Sequence, residues 1–358
     1  MEKVELLKKN YPKNFLEEVS LKGVGMQKKI LTVVVPSYNA GEFLKETIPT
    51  IVEVNNSEFL EVLIVNDGSK DNTLEVAHRL EEKYLGIVRV VDKENGGHGS
   101  TINVGIQYAE GKYFKVIDAD DWVDTKNFEE LINYLISTDD DEVISPYNDV
   151  YEDTGVTKEV NYFIKSDIKS QKSYQYDEFL DSIKVLPRMH SITIKTSILR
   201  NNNIRIDERM FYVDTEYILF PVPHIETISY TSQPIYQYRR GNENQSTSIQ
   251  NYIKNRDMLK HVCLAIIDFY SSNTILGSRK KYVEEVILRS IEINTSVLLS
   301  MKNVKEAKQE FLSMEEILKN KVPNLFKNPQ GRKLKILRKT HYLTFGIMSY
   351  FKRKNPSL

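Results

Sequence analysis

Before residue 137, an apolar run of strand length is followed four times by a stretch with helical periodicity. Ile30–Pro36 (ILTVVVP) is almost continuous in β-branched side chains, the pattern of a strand buried on both faces. The spacing then predicts a helix over Asn39–Ile51, a strand over Phe59–Asp67 and a helix over Asn72–Lys83. A strand over Ile87–Asp92, a helix over Gly99–Glu110, a strand over Lys112–Asp118 and a helix over Lys126–Ile136 follow. Such strands need cover on both faces, so an α/β fold around a mostly parallel sheet is expected. Beyond about Asp139 the pattern loosens into short strand-like pieces and loops, with one helix near Asp177–Ile183. From about Gln250, helical periodicity covers Tyr252–Tyr270, Arg279–Met301 and Val304–Lys319, a helical appendage.

Composition narrows the class. The chain has 358 residues, 41% of them hydrophobic and 28% charged, ordinary for a globular protein of about two domains. A single cysteine, Cys263, excludes an internal disulfide framework and fits a reducing compartment. The six histidines are scattered without the spacing of a zinc site. Residues 1–29 carry no apolar core of a secretory signal, and no run reaches the roughly 18 apolar residues of a spanning helix. A cytoplasmic protein is expected.

In open α/β sheets, ligands bind beyond the carboxyl ends of the strands. The predicted strand ends here are Pro36-Ser37-Tyr38-Asn39, Asn66-Asp67-Gly68-Ser69, Asn95-Gly96-Gly97-His98-Gly99-Ser100 and Asp118-Ala119-Asp120-Asp121. Three carboxylates within four residues repel one another, and a hard divalent cation such as Mg²⁺ or Mn²⁺ would relieve that cost; a solvated acidic loop capping the next helix is the alternative. Asp67 can accept a hydrogen bond from a base or ribose, or can simply form a turn with Gly68. Tyr38 can stack on a nucleobase or pack over the sheet edge. The glycine-rich stretch 95–100 opens a helix, where backbone N–H groups attract anions. It is neither a Walker loop nor a dinucleotide fingerprint.

Taken together, VVVPSYNAGEFLKETI, VLIVNDGSKDNT and ENGGHGSTINVGIQYAEGKYFKVIDADD resemble the family 2 glycosyltransferases of the Rossmann-like GT-A fold, over about residues 30–240. The resemblance implies an inverting transferase that uses a nucleotide-diphosphate sugar, most simply a UDP-sugar, with Mn²⁺ or Mg²⁺. It implies a catalytic domain over 30–245, after an extension at 1–29 and before a helical region at 246–358. Donor contacts would come from Pro36, Tyr38, Asn39, Asp67, Asn95, Gly96, Gly97, Asp118, Ala119 and Asp120. Asp118 and Asp120 would be the D-x-D pair at the metal. Arg239, Arg240, Gln245 and Ser246 would close over the phosphates. Asp214 would be the catalytic base, with Glu216 as rival, and His190, Asp121 and Trp122 would face the acceptor. The family's arginine at the start of the third helix is missing from Thr101-Ile102-Asn103, and Lys115, Arg239 or Arg240 are candidates to replace it.

Charge is segregated. Gly331–Leu358 holds eight Lys or Arg and no acid, leaving 41 basic against 50 acidic side chains elsewhere. Apolar residues interleave with the basic ones from Arg332 to Lys354, as in an amphipathic helix on an anionic membrane surface; a helix docked on the body is the alternative. The implied partners are the nucleotide-sugar, a glycan, lipid-linked or polymer acceptor, and an anionic inner membrane face, with a second copy of the chain left open. Nucleic acid is not expected, because no recognised binding motif accompanies the charge. Two other functions share the sheet. A sugar nucleotidyltransferase would need a Gly-rich loop with Arg and Lys where Ser37–Gly41 stands. A non-catalytic relative would have no use for Asp118, Asp120 and Asp214.

Overall fold

The computed structural model describes residues 29–162, 168–241, 248–329 and 331–354. The first half alternates as the apolar runs demand: β1 (Leu31–Ser37), α1 (Gly41–Val52), β2 (Leu60–Asp67), α2 (Thr73–Lys83), β3 (Val88–Lys93), α3 (His98–Tyr108), β4 (Tyr113–Val116), β5 (Trp122–Val123) and α4 (Thr125–Ser137). There follow β6 (Glu142–Ile144), β7 (Tyr147–Tyr151), β8 (Val156–Val160), β9 (Tyr174–Gln175), α5 (Tyr176–Leu180), β10 (Ile192–Lys195) and α6 (Thr196–Asn201). Next come α7 (Asp214–Leu219), β11 (Thr227–Tyr230), β12 (Tyr236–Arg240), α8 (Ile249–Lys254), α9 (Arg256–Ser272), α10 (Gly277–Ser300), α11 (Val304–Lys321) and α12 (Pro323–Lys327). The last helices are α13 (Arg332–Lys339) and α14 (Phe345–Lys354).

Two compact units emerge. One holds the described residues up to Arg209 together with His224–Gly241; the other holds Met210–Pro223 and the described residues from 248 onward. Residues 210–223, counted above with the catalytic domain, thus cluster with the helical unit.

All the strands belong to the first unit. Its larger sheet runs β3-β2-β1-β4-β10-β6-β11-β9, and a smaller one runs β5-β12-β7-β8. The short pieces beyond Asp139 are therefore sheet: β10 enters antiparallel between β4 and β6, and β11 lies parallel to β6. Every residue of β1 and β2 is buried, as their unbroken apolar runs require. Helix α3 lies so close to β1 that a Cβ on Gly105 would stand 2.4 Å from Val34 Cγ2. The parallel registers set Ser37 beside Asn66 and Asp67 beside Lys93, so the polar strand ends line one edge.

The helical unit corrects the sequence in two places. The helix expected over 252–270 breaks at Asn255, between α8 and α9. The basic tail is two helices, because His341 and Tyr342 take left-handed backbone conformations (φ 48° and 63°). Leu334, Leu337 and Phe345 are buried, and Arg338 grips Glu315 of α11 through two hydrogen bonds of 2.7 and 2.8 Å. Among the described residues no helix is long and apolar enough to cross a membrane.

One strand residue has a pH signature. Glu142 of β6 is buried, and burial pushes its carboxyl from an ordinary 4.5 up to about 8. The folded chain therefore keeps a proton that the unfolded chain releases above about pH 4.5, so this group's contribution to stability is lost as pH rises towards 8. Glu142→Gln should melt at the same temperature as the parent at pH 4.5 and about 3 °C or more above it at pH 8.5, followed by circular dichroism.

Candidate active site

The site is built from four loops at the carboxyl ends of β1, β2, β3 and β4, each tied to the next. Asn39, with a left-handed φ of 51°, links the first two. Its N–H donates to Ser69 Oγ (2.9 Å) and its Oδ1 accepts from the Lys70 N–H (2.8 Å). Tyr38 beside it is half exposed, and Pro36 is buried within β1.

Asp67 ties the second loop to the third. Its Oδ1 accepts from Lys93 Nζ (2.7 Å), Gly96 N–H (2.8 Å) and Ser100 Oγ (3.4 Å), and its Oδ2 accepts from Gly97 N–H (2.8 Å). Asn95 Nδ2 donates to its carbonyl (2.9 Å). With four donors converging on a carboxylate 3% exposed, Asp67 anchors the glycine loop from within. Its neighbour Asn66, buried at the same strand end, donates through Nδ2 to Asp92 (2.6 Å), and its Oδ1 has no partner among the described residues. The sequence placed Asn66 at this strand end without giving it a role.

The third loop meets the fourth through His98, whose Nε2 lies 2.9 Å from Asp118 Oδ1. No spacing rule singled out this histidine. Burial alone would raise the Asp118 carboxyl, but the hydrogen bond and charge of His98, helped by Tyr236, outweigh it and hold Asp118 below the usual range. Asp120 is exposed at the tip; desolvation by the surrounding protein and then the charge of Asp118 raise its carboxyl. Ala119 is buried, with its carbonyl 2.7 Å from Thr47 Oγ1 of α1.

Asp121 turns inward. Its Oδ2 accepts from the Tyr236 hydroxyl and its Oδ1 from the Arg239 N–H (2.8 Å), both from β12. It is 1% exposed, and burial, then Asp120 and Asp118, push its carboxyl well above the usual range. Asp121 therefore fastens the loop to β12. His190 is likewise turned inward. It is buried, stacked on Tyr236 at 4.6 Å and 4.4 Å from the Tyr238 ring, and burial drives it down to about 3, leaving it neutral. Trp122 lies under the Arg239 guanidinium at 4.9 Å.

The basic residues are rearranged too. Arg239 donates from Nε to the Asp120 carbonyl (2.7 Å) and pairs with Glu46 and Glu152, while Arg240 pairs with Asp149 at 3.1 Å. Lys115 is fully buried and donates to the His190 and Ile192 carbonyls. None of the three is free to replace the missing arginine. Arg209 is placed differently. Its N–H donates to the Gly96 carbonyl (2.5 Å), its φ is 60°, and a Cβ on Gly97 would meet its backbone at 3.1 Å. Its exposed side chain has no ion pair among the described residues.

In the helical unit, Asp214 opens α7 and is exposed, whereas Glu216 is 0% exposed. Exposure favours Asp214 over its rival. Tyr212, two residues earlier, has a φ of 69° and stacks on Tyr252 at 4.8 Å. Gln245 and Ser246 lie outside the described residues. Among the described residues no three His, Cys, Asp or Glu side chains are grouped to hold a metal. The protein alone would supply a cation with Asp118 and Asp120, as is usual where phosphates and water complete the shell.

With this geometry in hand, likenesses to known proteins become informative. Residues 32–195 match the sequence model of Glycosyl transferase family 2. An uncharacterized glycosyltransferase of Rickettsia typhi is 25% identical over 262 residues, 72% of this chain and 78% of that protein. The minor teichoic acid biosynthesis protein GgaB of Bacillus subtilis is 33% identical over 105 residues, 29% of this chain and 12% of GgaB. The crystal structure of S. aureus TarS 1–349 superposes with a TM-score of 0.63 at 17% identity, covering 92% of both chains. Its complex with UDP-GlcNAc gives 0.61 at 16%, over 91% of this chain and 92% of that one. At such identity the likeness is one of fold.

The network makes a sharp demand on Tyr236. Tyr236→Phe removes the hydroxyl that satisfies Asp121 and accepts from the Asp118 N–H (3.2 Å), leaving a buried carboxylate short of a donor. Urea unfolding should register a loss of about 2 kcal/mol. A loss below about 0.5 kcal/mol, the level of a neutral surface change, would mean that the hydroxyl does not anchor the loop.

Proposed function

Because the chain carries a family 2 glycosyltransferase domain of GT-A fold, we propose that it moves a sugar from UDP to an acceptor hydroxyl with inversion at the anomeric carbon. The observation that carries this reading is the tied row of strand-end loops, with the exposed, raised carboxyl of Asp120 beside Asp118 and the Gly96–Gly97 turn. Uracil carries an imide N–H, and the oxygens at the end of β2, the Asp67 carboxylate and the Asn66 Oδ1 that has no partner among the described residues, are acceptors suited to it. Half-exposed Tyr38 can stack on the ring. The UDP-GlcNAc complex of TarS supports the same donor class, and the likeness to GgaB favours a teichoic acid or other surface polymer as acceptor.

Asp118 and Asp120 would hold Mn²⁺ or Mg²⁺ together with the donor diphosphate. Such an ion, when bound, supplies charge neutralisation to the departing nucleotide. Arg209, clipped to the glycine turn and with no ion pair among the described residues, would take the diphosphate contact that the absent helix arginine leaves open. Asp214 would accept the proton of the acceptor hydroxyl as its oxygen attacks the anomeric carbon opposite the leaving group, and this single displacement inverts the centre. The chain would act in the cytoplasm at the inner membrane face, on a lipid-linked or polymeric acceptor.

Calorimetry with UDP, GDP, CDP and dTDP, with and without Mn²⁺, tests the donor site. Mn²⁺-dependent binding of UDP, abolished in Asp120→Ala, is expected; a protein that binds none of the four is not a transferase of this kind. Arg209→Gln should weaken UDP about tenfold, the loss of one charge-assisted contact, with no change in melting temperature. Asp214→Asn should lower kcat about 10²–10⁴-fold while leaving the UDP affinity intact.

A further inference from the structure

The two-helix tail carries a surface that the donor site does not explain. Twelve large apolar side chains are exposed among the described residues, and five of them, Ile336, Leu343, Ile347, Tyr350 and Phe351, fall within sixteen residues. Single exposed apolar residues are unremarked on any protein, but such a cluster marks a contact surface. The helix period sorts the residues cleanly. On α14 the buried positions are Phe345, Ser349 and Lys352, and the exposed ones, Gly346 aside, are Ile347, Tyr350, Phe351 and Lys354, spaced i, i+3, i+4 and i+7. On α13, Leu334 and Leu337 are buried, and Arg332, Lys335, Ile336 and Lys339 repeat the same spacing on the outside.

The basic residues divide the same way. Arg338 pairs with Glu315, Lys333 donates to Ser296 Oγ, Arg353 donates to the Met301 and Lys302 carbonyls, and Lys352 is buried. Those four dock the tail on its own unit. Arg332, Lys335 and Lys339 are exposed with no ion pair among the described residues, and Lys354 rests over the exposed Tyr350 ring at 4.8 Å. Docking the tail and presenting a basic–apolar face are thus done by different residues of the same helices. We propose that these two outward stripes, Arg332, Lys335, Ile336 and Lys339 on α13 and Leu343, Ile347, Tyr350 and Phe351 at and on α14, seat the protein on an anionic lipid bilayer. A lipid surface is the occupant that matches both halves of the pattern: cations for the headgroup charge, and aromatic and aliphatic side chains for the headgroup–acyl boundary. An acidic protein would match the first half only. The inference is independent of the identity of the donor.

Flotation of the full chain with phosphatidylcholine vesicles, with and without phosphatidylglycerol, tests it. Partition should be strong only with the anionic lipid and should weaken as salt is raised. Lys335→Glu with Lys339→Glu should lower it at least about 25-fold, roughly fivefold for each charge removed. Ile347→Ser with Phe351→Ser should lower it about tenfold or more. Both pairs are exposed, so the melting temperature should stay at the parent value. Equal partition into both lipids, no partition into either, or both variants binding like the parent would overturn the proposal. So would a concentration-dependent dimer, abolished by Ile347→Ser with Phe351→Ser, in a chain that ignores vesicles, for then a second copy covers the face.

Discussion

A carboxylate taken out of water must find donors, and the site depends on where Asp121 finds them. Both of its oxygens are satisfied from β12, by the Tyr236 hydroxyl and the Arg239 N–H. That couples the end of β4, in the large sheet, to a strand of the small one. On the other side, the Thr47 hydroxyl stands 2.7 Å from both the Ala119 and Asp121 carbonyls. With 119 and 121 held, the residue between them has little choice, and Asp120 is presented outward. Three adjacent acids would ordinarily repel one another into disorder. Here Asp118 is kept low by His98 and Asp121 is pushed high by burial, so the charge is divided unequally and the loop can stay compact.

Asp67 obeys the same rule at the far side. A buried carboxylate that accepts two backbone N–H groups and a lysine shapes the loop around it. Gly97 follows from this geometry: it takes φ 80°, and a side chain there would press on the Arg209 backbone. The turn thus admits neither a Cβ nor another backbone direction, and it brings Arg209 alongside as a consequence.

The fold's first half was legible because strands buried on both faces must be written in continuous apolar letters, and β1 and β2 are. The strand ends were legible as a site for the complementary reason, that polar residues at the mouth of an apolar strand need an explanation. What could not be read was direction. A strand end alternates between facing inward and outward with each residue, and nothing in Asn66-Asp67 or Asp120-Asp121 says which side chain will be satisfied internally. Contacts that pair distant segments were equally hidden: His98 with Asp118, Arg209 with Gly96, and Arg239 with Glu46 and Glu152. Charge and order promised guanidinium groups for phosphate, whereas packing had already assigned them partners. In the tail, apolar spacing alone read as one helix because two left-handed residues, His341 and Tyr342, leave no compositional trace.

Lys115 shows how the larger sheet is completed where its ladder stops. Strand β10 pairs with β4 at Phe114 and Tyr113, and the chain entering it makes a tight helical turn over Met189–Ser191. The His190 carbonyl of that turn and the Ile192 carbonyl at the start of β10 both lie within reach of a side chain of β4. Lys115 Nζ reaches both, at 2.8 and 3.3 Å. Burial brings its ammonium down to about 7, so it is near the point where a lysine can lie in a core without a counter-ion. One donor thus holds two carbonyls just beyond the paired part of the ladder. His190 is thereby fixed against Tyr236, and Tyr236 is the residue that holds Asp121. The acidic loop at the mouth of the sheet thus rests, through two buried side chains, on a lysine that never meets solvent.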